Sequence, residues 1–275
     1  MQARSRCGRR TDMVIDCHVH YDGAPGELDS LLRTCDAVGI DRCVIFPGPS
    51  NDAVLKAAQT HPDRLIPFAF FALGTDPPLR AAQFHDQGFR GIKFIFPRDA
   101  YNAPQYWDVY RRMSERGMVA LFHLGIVARN REGRPEDRNS DFYRPVYLDH
   151  IARLFPKLHI IGAHFGNPWY EEAAMAARWN SNLWFDLSGS SLKAKPPEFF
   201  RALLWWDKPG HPYTPHGGKH PFEKICFGTD VAHSWMADVY HDYQLLMDGM
   251  GVPPEYRAKI MGGNAAEALG LGNHV

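Results

Sequence analysis

Eight short apolar runs recur along the chain, and helical sequence separates most of them. They cover residues 15–20, 43–46, 65–71, 91–95, 118–123, 158–164, 183–187 and 224–230. Runs of this length, rich in Val, Ile and Phe, read as buried strands. Between the first two, Leu28, Leu31, Leu32, Cys35 and Val38 fall at helical spacing, with Gly39 placed to cap. Residues 51–60 and 78–87 look helical, the second ending at Gly88. Tyr106, Tyr110 and Met113 mark a helix stopped near Gly117, and two more are expected near 145–155 and 169–179. Strand and helix in strict alternation predict an α/β fold, a (β/α)₈ barrel. The competing doubly wound sheet lacks its marker, since no Gly-x-Gly-x-x-Gly follows the first run.

At 275 residues the chain suits a single barrel domain, expected over 13–275. Residues 1–12 carry Arg4, Arg6, Arg9 and Arg10 but no apolar h-region, so a disordered leader is expected there rather than a secretion signal. The 31 basic and 31 acidic residues cancel, which leaves no general footprint for nucleic acid or an anionic membrane. The longest apolar stretch, 65–73, contains Pro67 and is too short to span a bilayer. The expected partner is therefore a small-molecule substrate, and a homodimer is compatible with the sequence. None of the five cysteines forms a Cys-x-x-Cys pair, and Cys17, Cys43 and Cys226 fall in strand-like runs. Buried free thiols and a cytoplasmic setting are expected.

The first run ends in His18-Val19-His20. In a strand, residues two apart share a face with Cα atoms roughly 6.5 Å apart. Both imidazoles can then reach one ion at about 2.0–2.1 Å, whereas a helix would splay them. In a barrel the C-terminal strand ends open on one face. That face would gather His18 and His20 from the first strand, His123 from the fifth, His164 from the sixth and Asp230 from the eighth. Each is expected to be buried, a poor place for an imidazole or carboxylate without a partner. Together they suit a divalent transition metal. Asp16 shares parity with the two histidines and is expected one layer below them in a supporting role. Asp186 is expected to pack or hydrogen-bond.

A wider set of stretches makes the pattern specific. They are Ile15-Asp16-Cys17-His18-Val19-His20, His61-Pro62-Asp63-Arg64, Gly88-Phe89-Arg90-Gly91-Ile92-Lys93, Phe122-His123 and Ala163-His164-Phe165-Gly166. Asp186-Leu187-Ser188-Gly189, Phe227-Gly228-Thr229-Asp230 and Lys259-Ile260-Met261-Gly262-Gly263-Asn264-Ala265 follow. With these the chain resembles the amidohydrolase superfamily, in the metal-dependent TIM-barrel branch that includes aminocarboxymuconate-semialdehyde decarboxylase. The resemblance implies that His18, His20, His123 and Asp230 hold a single divalent metal, zinc most often and manganese otherwise. It makes His164 the acid/base and carbonyl-polarising residue, and Asp230 the acceptor of a proton from the metal's water.

Binuclear members of the superfamily carry a carboxylated lysine on the fourth strand, where Lys93 stands. This branch is usually mononuclear, so Lys93 is expected to meet a substrate anion or a barrel carboxylate such as Asp16. His233 and Trp235, just past Asp230, are expected to line the substrate pocket. The loop bearing Arg129, Arg131, Arg134, Arg138 and Arg144 is either solvated or offers one arginine to a substrate carboxylate. The segment 191–222, with Trp205, Trp206, His211, Tyr213, His216 and His220, is expected over the same face.

The expected activity is metal-dependent hydrolysis of a C–O or C–N bond in a lactone, ester or amide of a small carboxylated molecule. The alternative is a metal-dependent nonoxidative decarboxylase of an aromatic or unsaturated acid. Decarboxylases of this kind often carry an insertion after the first strand, and the short connection here favours hydrolysis. A catalytically dead barrel ranks last, because every expected ligand is present.

Overall fold

The computed structural model describes residues 12–48, 50–127, 139–189, 195–204 and 219–271. Its strands are β1 Ile15–Tyr21, β2 Arg42–Pro47, β3 Leu65–Phe70, β4 Gly91–Phe94, β5 Val119–Phe122, β6 His159–Gly162, β7 Leu183–Asp186 and β8 Ile225–Cys226. Each pairs in parallel with the next, in the order β1 to β8. Cys17 N donates to Phe227 O at 3.0 Å and Asp230 N to His18 O at 2.9 Å, so the last strand meets the first. The expected single-domain TIM barrel is what forms.

Helices fill the intervals. In α1, Glu27–Val38, Leu31 and Cys35 lie one turn apart and are the buried pair. Gly39, at φ 87°, ends it in the left-handed conformation that glycine adopts without a Cβ clash. α2 occupies Asn51–Thr60 and α3 Leu79–Gln87, closed by Gly88 at φ 108°. α4 Trp107–Glu115, α5 Val146–Leu154 and α6 Tyr170–Trp179 follow. Later helices include Met236–Met250 and Asn264–Ala268. Among the described residues no helix is long and apolar enough to cross a membrane.

Strand periodicity divides the core. Along β2, Val44 and Phe46 join an inner cluster with Ile66, Phe68, Leu121 and Trp184. Cys43 and Ile45 face the outer layer beneath the helices. Ala265 and Ala268 of the last described helix, Asn264–Ala268, and Leu269 just after it complete the inner cluster, closing the end where the strands begin.

The strand tips depart from expectation at three places, each for a hydrogen-bonding reason. A register shift between Asp16 and Val19 breaks the simple parity of β1. Ile15 and Cys17 therefore face the inner cluster, and Asp16 turns to the seam with the last strand. There it accepts from the amides of His18 and Thr229, each at 3.0 Å, and from the Thr229 hydroxyl at 2.7 Å. β6 stops at Gly162 instead of reaching His164, because the His164 amide leaves the ladder to donate to Asp186 Oδ1 at 2.9 Å. β8 is likewise shorter than 224–230, since Phe227 N donates to Ile260 O and Asp230 N to His18 O.

Among the described residues, the non-glycine residues with positive φ are Phe96, His164, Phe165 and Asp230, at 58°, 60°, 45° and 49°. All follow the ends of β4, β6 or β8. Backbone held this way costs on the order of 1–3 kcal/mol per residue. The cost falls on the face where the histidines gather.

Candidate metal centre

His18 is at the centre of the cluster. Its Nδ1 lies 2.8 Å from Asp186 Oδ2, and its Nε2 lies 3.1 Å from Lys93 Nζ and 3.5 Å from Asp230 Oδ1. His20 Nε2 approaches the same Asp230 oxygen at 3.1 Å. His164 Nε2 stands 3.6 Å from the other Asp230 oxygen and 3.2 Å from His123 Nδ1. All five expected ligand or acid/base residues thus converge at the C-terminal ends of the strands. His18, His164 and Asp230 form one group of candidate ligands, with one ligand atom from each within 4.8 Å of the others. His164, expected beside the ligands, belongs to this group.

Exposure differs from the uniform burial expected. His18 is almost fully buried, but the His20 side chain is 54% exposed because it sits at the last turn-out of β1. Two glycines make the close packing around His18 feasible. A Cβ on Gly228 would lie 3.0 Å from His18 Cβ and 3.1 Å from Asp186 Cβ. One on Gly189, already at φ 92°, would lie 3.1 Å from His164 Nδ1.

The electrostatics suit metal ligation. Burial, reinforced by the Lys93 charge, pushes His18 down to about 4. Burial, then His164 and Lys93, holds His123 far below the usual imidazole range. Both rings are therefore neutral near pH 7, as metal binding requires. Burial works to raise the Asp230 carboxyl, but His18, the hydrogen bond from His20, His164 and Lys93 together outweigh it and keep it ionised. His123 Nε2 is buried and has no hydrogen-bond partner among the described residues. Buried polar atoms are rarely left so. Neutral imidazoles, one ionised carboxylate and an orphaned ring nitrogen form a donor set that fits a divalent transition metal.

Lys93 lies inside the site. Burial lowers its ammonium to about 8. Beside His18 Nε2 it has the face of Phe46, 4.7 Å from the ring centroid, and no ion pair with a carboxylate among the described residues. Asp16, its anticipated barrel partner, is committed to Thr229 and His18. His233 leans toward α1, its Nε2 3.9 Å from Glu27 Oε1, and Trp235 is 61% exposed. Neither joins the metal cluster.

Other expectations resolve differently. Arg144 does not fold over the site: its guanidinium pairs with Glu172 and, at 3.3 Å, with Asp141. His220 is not over the C-terminal face. It caps the turn leading into β8 by accepting from Phe222 N at 3.2 Å, and it stacks on Tyr256 at 4.2 Å. Arg129, Arg131, Arg134, Arg138, Trp205, Trp206, His211, Tyr213 and His216 lie outside the described residues, as does Cys7.

The residue that sequence reasoning missed is Ser188. Its hydroxyl donates to Asp186 Oδ1 at 2.5 Å and lies 2.9 Å from His164 Nδ1. The available signal was Asp-x-Ser at a strand end, a spacing at which both side chains can reach nearby backbone and ring nitrogens.

Comparison with known proteins places this geometry. None of the curated proteins matches the chain. Among solved structures, a probable 2-pyrone-4,6-dicarboxylic acid hydrolase from Acinetobacter baumannii matches at 17% identity and TM-score 0.61, covering 94% of this chain and 99% of that one. The 5-carboxyvanillate decarboxylase LigW from Sphingomonas paucimobilis matches at 13% identity and TM-score 0.63, covering 94% and 98%. A 5-carboxyvanillate decarboxylase from Novosphingobium aromaticivorans, solved as the D314N mutant with bound manganese, matches at 14% and 0.63, covering 96% and 99%. At these identities the likeness is one of fold. The family model described as amidohydrolase, however, matches residues 15–271, from the first residue of β1 to beyond the closing helix. The chain belongs to the amidohydrolase family.

Proposed function

We propose that the chain is a metal-dependent hydrolase that adds water across a C–O or C–N bond of a small carboxylated molecule. The observation that carries this reading is the convergence of lone-pair donors at the strand ends. Asp230 is held ionised and His18 and His123 neutral, so lone pairs and one negative charge converge where a divalent ion that activates water would sit. His18, His20, His123 and Asp230 would hold one divalent ion, zinc or manganese. The ion, when bound, supplies Lewis acidity and brings its water's pKa toward neutrality. Asp230 would accept the proton released on attack, and His164, whose Nε2 lies 3.6 Å from an Asp230 oxygen, would take that proton up and deliver it to the leaving atom. Lys93, a buried ammonium with no carboxylate ion pair among the described residues, would meet the substrate's anionic group.

Two observations support a second reading on each point. The 4.8 Å grouping of His18, His164 and Asp230 favours His164 as a ligand. Metal content separates the two sets: His123→Ala loses the ion and His164→Ala keeps it if His164 is the acid/base, and the reverse holds otherwise. Decarboxylation is supported by neighbours of the same fold that are decarboxylases and by the manganese-bound example. Purified metal-loaded protein, assayed for proton release and CO₂ release on a panel of lactones, amides and aromatic carboxylates, decides the reaction. Proton release without CO₂ supports hydrolysis, and stoichiometric CO₂ overturns it. Free thiols at Cys17, Cys35, Cys43 and Cys226 support a cytoplasmic setting.

A further inference from the structure

We propose that Asp186 is the positioning residue of this centre: one carboxylate, directly on His18 and through Ser188 on His164, sets both rings as Nδ1–H tautomers with Nε2 lone pairs facing Asp230.

Donor and acceptor bookkeeping at β7 leaves one solution. Asp186 Oδ1 takes three donors at once and Lys93 Nζ faces His18 Nε2, as expected for an ionised Asp186. An ionised carboxylate only accepts. His18 Nδ1, 2.8 Å from Asp186 Oδ2, must therefore carry its proton, and His18 Nε2 is left as a lone pair. The other oxygen, Oδ1, accepts from the His164 amide at 2.9 Å, the Ser188 amide at 3.0 Å and the Ser188 hydroxyl at 2.5 Å. With its proton on Asp186, the Ser188 hydroxyl can only accept from His164 Nδ1, 2.9 Å away. The Ser188 carbonyl, 3.2 Å from the same nitrogen, also only accepts. His164 Nδ1 is thus a donor, and His164 Nε2 presents its lone pair to the centre. His123 Nδ1, 3.2 Å from that lone pair, then donates to it. The proton on His123 Nδ1 leaves Nε2 bare, which accounts for the buried nitrogen without a partner. Asp186 and Ser188 are themselves fully buried, so no water competes for these bonds.

The tautomers follow from the hydrogen bonds alone. Their consequence for metal affinity rests on the proposed function. Outer carboxylates that orient a ligating imidazole typically contribute about 10–100-fold to metal affinity.

The test is long-range ¹H–¹⁵N correlation of histidine-labelled, metal-free wild-type protein at about pH 8, where imidazoles are neutral. His18 and His164 should both read as Nδ1–H, and an Nε2–H form of either ring overturns the proposal. In Asp186→Asn the carbonyl oxygen stays with its three donors, so the amide NH₂ falls against His18 Nδ1. His18 should then invert to Nε2–H, and its retention as Nδ1–H is a contradiction. Zinc affinity by chelator competition should fall about 10–100-fold in Asp186→Asn. It should fall less in Ser188→Ala, where His164 keeps the carbonyl. Equal zinc binding by wild type and Asp186→Asn overturns the proposal. If wild type binds no zinc while both rings read Nδ1–H, the metal reading falls and the positioning role stands. The wild-type spectrum tests the assignment even if a variant fails to fold.

Discussion

The two ends of the barrel bury polar groups in opposite ways. Where the strands begin, Lys224, Asn264 and Asn182 spend their donors on backbone carbonyls. Lys224 Nζ donates to the carbonyls of Asn180, Ser181 and Leu183 at 2.7, 3.0 and 3.0 Å. Asn264 Nδ2 serves those of Phe222 and Ile225, both at 2.7 Å. Asn182 Nδ2 serves that of Leu158 at 2.8 Å. Where the strands end, side chains face one another, with acceptors crowded together and an ammonium that has no carboxylate ion pair among the described residues. Satisfied polar groups hold elements in place, whereas mutually unsatisfied ones await something else. The same barrel thus separates stability from chemistry along its axis.

Breaking that separation should be visible in order of effect. His18→Ala should lower zinc affinity by more than about 100-fold, beyond what outer partners cost. Lys224→Ala should leave zinc affinity unchanged but lower unfolding stability by about 2 kcal/mol, since it strands buried carbonyls. Urea titration of both variants checks the contrast, and a Lys224→Ala protein that folds stably but loses zinc would break it.

The pH dependence of stability sharpens the same point. Burial pushes the Lys224 ammonium down to about 7 from its ordinary 10.5. The folded chain therefore sheds this proton first, and the unfolded chain holds more protons between those values. This group's contribution thus makes stability rise with pH from about 7 to 10.5. Comparing unfolding free energies of wild type and Lys224→Ala across that window should show the slope reduced in the variant. The smallest effect belongs to the seam of the barrel. Thr229→Val removes the hydroxyl bond to Asp16 and should cost about 1 kcal/mol in urea unfolding.

Much of this architecture can be read in the sequence because local physics and fold agree. α2 runs over 51–60 as its apolar spacing implies, and Gly39 and Gly88 end helices where a left-handed residue is needed. The strand tips are different. His164 and Asp230 have amides that leave the ladder for Asp186 and His18, partners remote in sequence, so their apolar runs overstate β6 and β8. Parity misplaces Asp16 for a similar reason, since the irregularity in β1 depends on Thr229 across the seam. The site was legible as a list of residues at strand ends. The Asp186–Ser188 device was not, because it depends on which atoms of two rings face one carboxylate.

Metal stoichiometry of the purified, chelator-free protein tests the central claim most directly. About one zinc or manganese per wild-type chain, and almost none in His18→Ala, is the predicted result. A wild-type chain that carries no transition metal, with an activity that survives chelation, would contradict it.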